Sequence, residues 1–177
     1  IRTRIMPDPS LTPDPIVSEY QLGESVGYLL SRVKSTMSNL VTQRSMTELG
    51  ITSQQGSILF MVASGKCLLA AELAREYGID ASAVTRLVDR LEKRGLLTRV
   101  RSNEDRRVVR LALTPEGHAI AAKMPAIFNG VLDSLLNGFT AEEVGFLKSM
   151  LRRVLINSGE QPPGLTRDAA SNFDSKS

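Results

Sequence analysis

One continuous run, DASAVTRLVDRLEKRGLLTRVRSNEDRRVVRLALTPEG from Asp80 to Gly117, constrains the fold more than any other part of the chain. A short helix near Leu69–Tyr77 meets Gly78, the residue that most readily adopts the left-handed stop of a helix. Asp80 then supplies the side-chain oxygen that caps a new helix, which ends before Gly95. Helix, the turn Gly78-Ile79-Asp80, helix is the spacing of a helix-turn-helix. Val84, Leu87, Val88 and Leu91 recur at the three- and four-residue steps of one buried face. Ser82, Thr85, Arg86, Asp89, Arg90 and Lys93 fall on the opposite face.

Two β-leaning runs follow, Leu97–Arg101 and Arg107–Leu113, joined by Ser102-Asn103-Glu104-Asp105-Arg106, and they predict a hairpin wing. Thr114 caps a fifth helix, with Pro115 at the first position, where a missing N–H costs nothing. Pro125 inside that helix predicts a kink near Ala121–Met124.

Charge is concentrated in this same region. From Arg86 to Arg110 nine basic side chains face four acidic ones, whereas the whole chain carries a net charge of only +3. The remainder is therefore slightly acidic, and a positive helix-plus-hairpin in such a chain has the form of a polyanion-binding face. The plainer alternative is a basic, solvated surface. Aromatic residues make up 5% of the sequence and Trp is absent. Single-stranded nucleic acid is bound on exposed aromatic platforms, so duplex DNA suits this composition better.

Outside this region, residues 1–17 carry Pro7, Pro9, Pro13 and Pro15 and read as an extended arm, and residues 157–177 as a polar, flexible tail. Residues 18–156 form one domain in this reading. Helices in 18–50 and 115–156 serve dimerisation, and 51–114 form the winged helix-turn-helix. A long helix is expected from about Ser18 to Thr47, with an apolar stripe of Leu22, Val26, Leu29, Val33, Met37 and Leu40. Thr52 with Gln55, and Thr140 with Glu143, are capping-box signals for the second and last helices. The last helix carries its own stripe, Val144, Leu147, Met150, Leu151, Val154 and Leu155. These stripes exceed what one small winged core covers, which predicts a second subunit; the alternative is that the helices cover one another within one chain. The fold class is mainly α with a small β-hairpin wing.

A single cysteine excludes an internal disulfide framework, and there is no Cys/His cluster for zinc. Cys67 stands beside Leu68 and Leu69, where a small buried apolar residue is the better reading than a redox sensor. His118, the sole histidine, reads as a surface or dimer-contact residue. No nucleophile elbow, phosphate loop or other catalytic constellation is recognisable, so no enzyme and no cofactor or metal is expected. No apolar run spans a bilayer and no signal segment is recognisable, so a cytoplasmic protein without membrane contact is expected.

The residues ELAREYGIDASAVTRLVDRLEKRGLLTR, with the wing run NEDRRVVRLALTPEG, resemble the MarR (multiple antibiotic resistance regulator) family of winged helix-turn-helix transcription factors. The resemblance covers about Ser18 to Val154 and is carried most specifically by those two segments. It implies an obligate homodimer with interleaved outer helices, each subunit laying its fourth helix in a DNA major groove and its wing along the adjacent minor groove. It implies repression of a nearby operon, lifted when a small aromatic acid or related compound binds.

Within that frame Ser82, Thr85 and Arg86 are the candidate base-reading residues, Arg86 being the one able to make a bidentate guanine contact. Arg90, Lys93 and Arg94 lie further along and suit phosphates, or for Lys93 and Arg94 the helix C-terminus. The resemblance places the family's Asp-any-Arg wing motif on Asp105 and Arg107, with Arg107 in the minor groove, Asp105 supporting it and Arg106 near the backbone. Candidate effector-pocket residues are Tyr28, Arg32, Phe60 and Met61, with Arg32 as a carboxylate anchor; the alternative is plain core and a solvated cation. An architectural DNA-binding protein without effector is the second reading of the chain. A winged helix turned protein-interaction module is the third, and Arg86 and Arg107 speak against it.

Overall fold

The computed structural model describes residues 21–66, 68–101 and 108–160. The expected arm, residues 161–177 of the expected tail, Cys67, and the wing residues Asp105, Arg106 and Arg107 lie outside them, while Asn157, the first residue of that tail, ends the last helix. A 3-10 turn, Leu22–Glu24, precedes α1, Val26–Leu49. The sequence places this helix start eight residues too early, because the apolar spacing of Leu22 and Val26 continues across a break in helical backbone. Ser25 is extended and caps α1 by accepting from the Tyr28 N–H. Gly50, at φ 65°, ends the helix in the left-handed conformation.

Short polar side chains fasten the α1–α2 corner. Ser45 Oγ, fully buried, donates to the Ile51 carbonyl at 2.8 Å. Thr42 Oγ1 accepts from the Ser53 N–H at 3.0 Å. The expected Thr52/Gln55 capping box is formed on both sides, at 3.3 and 3.0 Å, and opens α2, Ser53–Ala63. α3, Ala70–Tyr77, starts at Leu69, whose side chain cannot cap. The Glu72 carboxylate substitutes, accepting from the Leu68 and Leu69 N–H groups at 2.7 and 2.9 Å.

α4, Ala81–Lys93, begins where Asp80 Oδ1 accepts from the Ala83 N–H at 2.9 Å. Val84, Val88 and Leu91 are fully buried as the spacing predicts, and Leu87 is half-buried at the margin. Strands β1, Leu97–Arg101, and β2, Val109–Leu113, pair antiparallel with Leu97 opposite Leu113 and Arg101 opposite Val109. β2 thus starts at Val109, two residues later than its β-branched composition suggests. The Leu111 N–H donates to the Leu68 carbonyl at 2.7 Å, tying the hairpin to the entrance of α3.

α5, Pro115–Leu135, continues through Pro125. Thr114 works in two directions at its start: Oγ1 accepts from the Gly117 N–H at 3.1 Å and donates to the Gly95 carbonyl at 2.7 Å. Thr114→Ala removes both bonds and is expected to cost about 1–2 kcal/mol, read as a lower melting temperature; an unchanged melt would contradict the double role.

The chain divides into two compact units between Val131 and Leu132. The first holds the core: Ile51, Ile58, Leu59, Leu73, Val84, Val88, Leu91, Leu96, Leu97 and Met124 are at most 1% exposed. Burial on this scale, at roughly 1.5–3 kcal/mol per large side chain, is the main force holding α4 against its neighbours. The second unit contains α6, Ala141–Asn157, opened by the expected Thr140/Glu143 capping box. No residue of α6 is buried. Among the described residues no helix is long and apolar enough to cross a membrane.

Candidate nucleic-acid interface

Burial of Val84, Val88 and Leu91 fixes the rotation of α4, and that rotation decides what the helix offers to solvent. Ser82, Thr85, Arg86, Arg90 and Lys93 are exposed on it. Arg86, Arg90 and Lys93 follow at four- and three-residue steps and form one cationic stripe along the helix. Among the described residues no ion pair holds Arg90 or Lys93.

The N-terminal end of the stripe is preorganised. Arg86 Nη1 donates to Ser82 Oγ at 3.1 Å, and Ser82 in turn donates to the Asp80 carboxylate. Thr85 Oγ1 donates to the Ala81 carbonyl at 2.8 Å, leaving the oxygen free to accept. The Ser82 hydroxyl, the Ala83 N–H and the Arg86 charge hold the Asp80 carboxyl below its usual pKa. Asp80 therefore stabilises the fold above its unfolded-state pKa, and loses that contribution as pH falls through the lower folded-state value.

Two arginines counted in the basic patch are engaged elsewhere. Arg94 Nη1 donates to the Gly50 carbonyl at 2.8 Å and so joins the C-terminal ends of α4 and α1. It satisfies a carbonyl left open at a helix end, closer to the helix-terminus role than to a phosphate contact. Arg99, on β1, forks between two carboxylates of α4: Nη2 reaches Asp89 Oδ1 at 2.6 Å and Nη1 pairs with Glu92. The Arg99 N–H also donates to Glu92 Oε1 at 3.3 Å. The hydrogen bond to Asp89, and then the charges of Glu92 and Asp89, raise the Arg99 pKa against some desolvation.

This clamp is the element sequence reasoning missed. The sequence reading puts Asp89 on the face opposite the buried one and includes Arg99 in the basic count, because summing charges along a segment does not show which ones pair. The signal was present: acids three apart on a helix, followed by a basic residue in the first strand after it.

The other candidates stand apart. Tyr28 and Arg32 are exposed, four residues apart on α1. Phe60, exposed on α2, meets Phe128 of α5 edge-on, with ring centroids 6.1 Å apart and planes at 83°. Neighbouring Met61 is half-buried. Among the described residues no hydrogen bond, ion pair or ring contact joins the α1 pair to the α2 pair, and Phe128 was not anticipated. His118 is exposed in the first turn of α5.

Comparison with known proteins bears on the same elements. The model of the MarR family matches residues 51–109, from the corner before α2 to the start of β2. The multiple antibiotic resistance protein MarR of Escherichia coli (strain K12) is 30% identical over 131 residues, covering 73% of this chain and 90% of that protein. The HTH-type transcriptional repressor MdtR of Bacillus subtilis (strain 168) is 30% identical over 131 residues, covering 74% of this chain and 80% of that protein. A solved structure of a mutant MarR from E. coli complexed with operator DNA superposes with a TM-score of 0.67 at 28% identity, covering 80% of this chain and 99% of that one. With this identity across most of both chains, and with the same helices and hairpin, the chain belongs to the MarR family of winged helix-turn-helix transcriptional regulators.

Proposed function

We propose that this chain is a homodimeric transcriptional repressor that binds a pseudo-palindromic operator in double-stranded DNA and is released by a small-molecule effector. The observation that carries the reading is the exposed stripe of Arg86, Arg90 and Lys93, held in one rotation by the buried face of α4. Relatives bear a repressor's name and an operator complex. The chain acts by binding rather than catalysis, in the cytoplasm with the DNA.

In this reading α4 enters the major groove. Ser82, Thr85 and Arg86 meet base edges, and Arg90 and Lys93 meet phosphates, which position the helix without specifying sequence. Asp105, Arg106 and Arg107 would serve the wing, with Arg107 in a narrow minor groove. Arg86→Ala should relax preference at one base position, at a cost of about 1–3 kcal/mol. Arg107→Ala should weaken binding to all sequences more evenly. Selection of bound sequences from a random pool checks this, and an unchanged preference for Arg86→Ala contradicts the assignment.

A dimer follows from the apolar surface. On α1, Val26 and Val33 are 69% and 61% exposed, and on α6, Phe146 and Val154 are 67% and 53% exposed. Surfaces of this kind mark association sites. Effector binding is assigned to Tyr28, Arg32, Phe60 and Met61, with Arg32 pairing a carboxylate. Footprinting of the DNA flanking the gene, with and without a panel of aromatic acids and their thioesters, tests the whole reading. A discrete protected palindrome released by one compound supports it, whereas uniform, ligand-blind binding would point to an architectural protein instead.

A further inference from the structure

Asp89 and Glu92 are the carboxylates of α4 itself, and both are turned to a single residue of the hairpin, Arg99. They lie one and two residues from Arg90, on the same helix as the cationic stripe. Without Arg99 they would set two negative charges beside it. With Arg99 they are neutralised and also fixed in place, because a planar guanidinium satisfies two acceptors only in a narrow range of geometries. A third bond, from the Arg99 N–H to Glu92, runs from the strand backbone, so the helix holds the strand's main chain as well as its side chain.

The site is a third exposed (33% for the Arg99 side chain, 37–48% for its partners), and exposed pairs of this kind contribute little to stability. Its consequence is geometric. The buried ends Leu96 and Leu97 anchor the hairpin where it leaves α4. Two residues further along β1, the clamp fixes the strand's direction relative to the helix axis.

We propose that Arg99 is a positioning residue that sets the pitch of the β1–β2 hairpin against α4, so that helix and wing meet one DNA duplex as a single rigid unit. The inference rests on the DNA-binding reading above. It assigns Arg99, Asp89 and Glu92 no contact with DNA and gives them control of how well specific sequence is told from nonspecific.

The double variant Asp89→Asn with Glu92→Gln separates positioning from charge, because the two effects have opposite signs. Removing two negative charges from a DNA-facing helix, by electrostatics alone, tightens binding to any duplex. Losing the clamp lets the hairpin swing, and specific binding then loses a wing contact. Affinities of the full chain for operator and for scrambled DNA of equal length are measured by fluorescence anisotropy, with hydroxyl-radical footprints alongside. The expected result is a fall of about tenfold in the operator-to-scrambled ratio, comparable to one lost base-pair contact. Protection at the outer, minor-groove flanks should fade while the central major-groove protection persists.

Arg99→Lys keeps the charge without the fork and should behave in the same way; it carries the test should the double variant fail to fold. A ratio and flank protection that match wild type in the folded variant overturn the proposal. Absence of DNA binding by the wild-type chain would instead overturn the underlying reading, and is seen before any variant is made.

Discussion

Chains carrying Val33→Asp together with Val154→Asp are expected to sediment as monomers and to hold operator-length DNA about 10²–10⁴ times more weakly than wild type. Each valine is more than half exposed, at 61% and 53%, so neither charge is introduced into the core of its own chain. What the charges enter is the surface assigned to the second subunit, where a carboxylate without a partner is strongly disfavoured. Linking two half-site contacts in one molecule raises the effective concentration of the second contact; a monomer loses that gain although its α4 stripe is intact. Sedimentation velocity reads the first effect and anisotropy the second. Dimers of unchanged affinity would remove α1 and α6 from the interface.

Gly117→Ala is expected to destabilise the first unit by about 1–3 kcal/mol, although glycine-to-alanine changes inside helices ordinarily stabilise by up to about 1 kcal/mol. The sign reverses because a Cβ at Gly117 would overlap the backbone carbonyl oxygen of Leu96. That oxygen already accepts from the Thr114 N–H at 3.2 Å, and Leu96 is buried, so neither side has room to retreat. At Gly117 the first turn of α5 therefore lies directly against the backbone of Leu96, the residue before β1. Denaturant unfolding measures the effect. A midpoint unchanged or raised would contradict the close approach.

Local signals were legible in the sequence, and long-range ones were not. Thr52 with Gln55, Thr140 with Glu143, Asp80 before α4 and Thr114-Pro115 before α5 all act within three residues, and each stands where its capping chemistry puts it. The buried face of α4 was readable for the same reason, since helix periodicity alone selects Val84, Val88 and Leu91. The start of α1 was misread because Leu22 and Val26 keep helical spacing through a segment whose backbone is a 3-10 turn followed by extended Ser25. Arg94 finds Gly50 across 44 positions, and Arg99 finds Asp89 across ten. The first partner lies beyond any local window, and for the second a sum of charges along the segment does not show which side chains pair, so a stretch rich in arginine appeared more uniformly available to DNA than it is. Of its members, Arg86, Arg90 and Lys93 form the exposed stripe on α4.

Hydroxyl-radical footprinting of the full chain on the DNA flanking its gene, repeated across a salt series, tests the central claim most directly. Two protected blocks related by a two-fold axis, with centres about 34–36 Å apart, are expected. Affinity should fall with salt at a log–log slope of about −0.9 for each phosphate neutralised, and a variant lacking the charges of Arg90 and Lys93 should show a shallower slope. A single block, or a slope indifferent to those two side chains, would mean that the cationic face of α4 is not what holds the duplex.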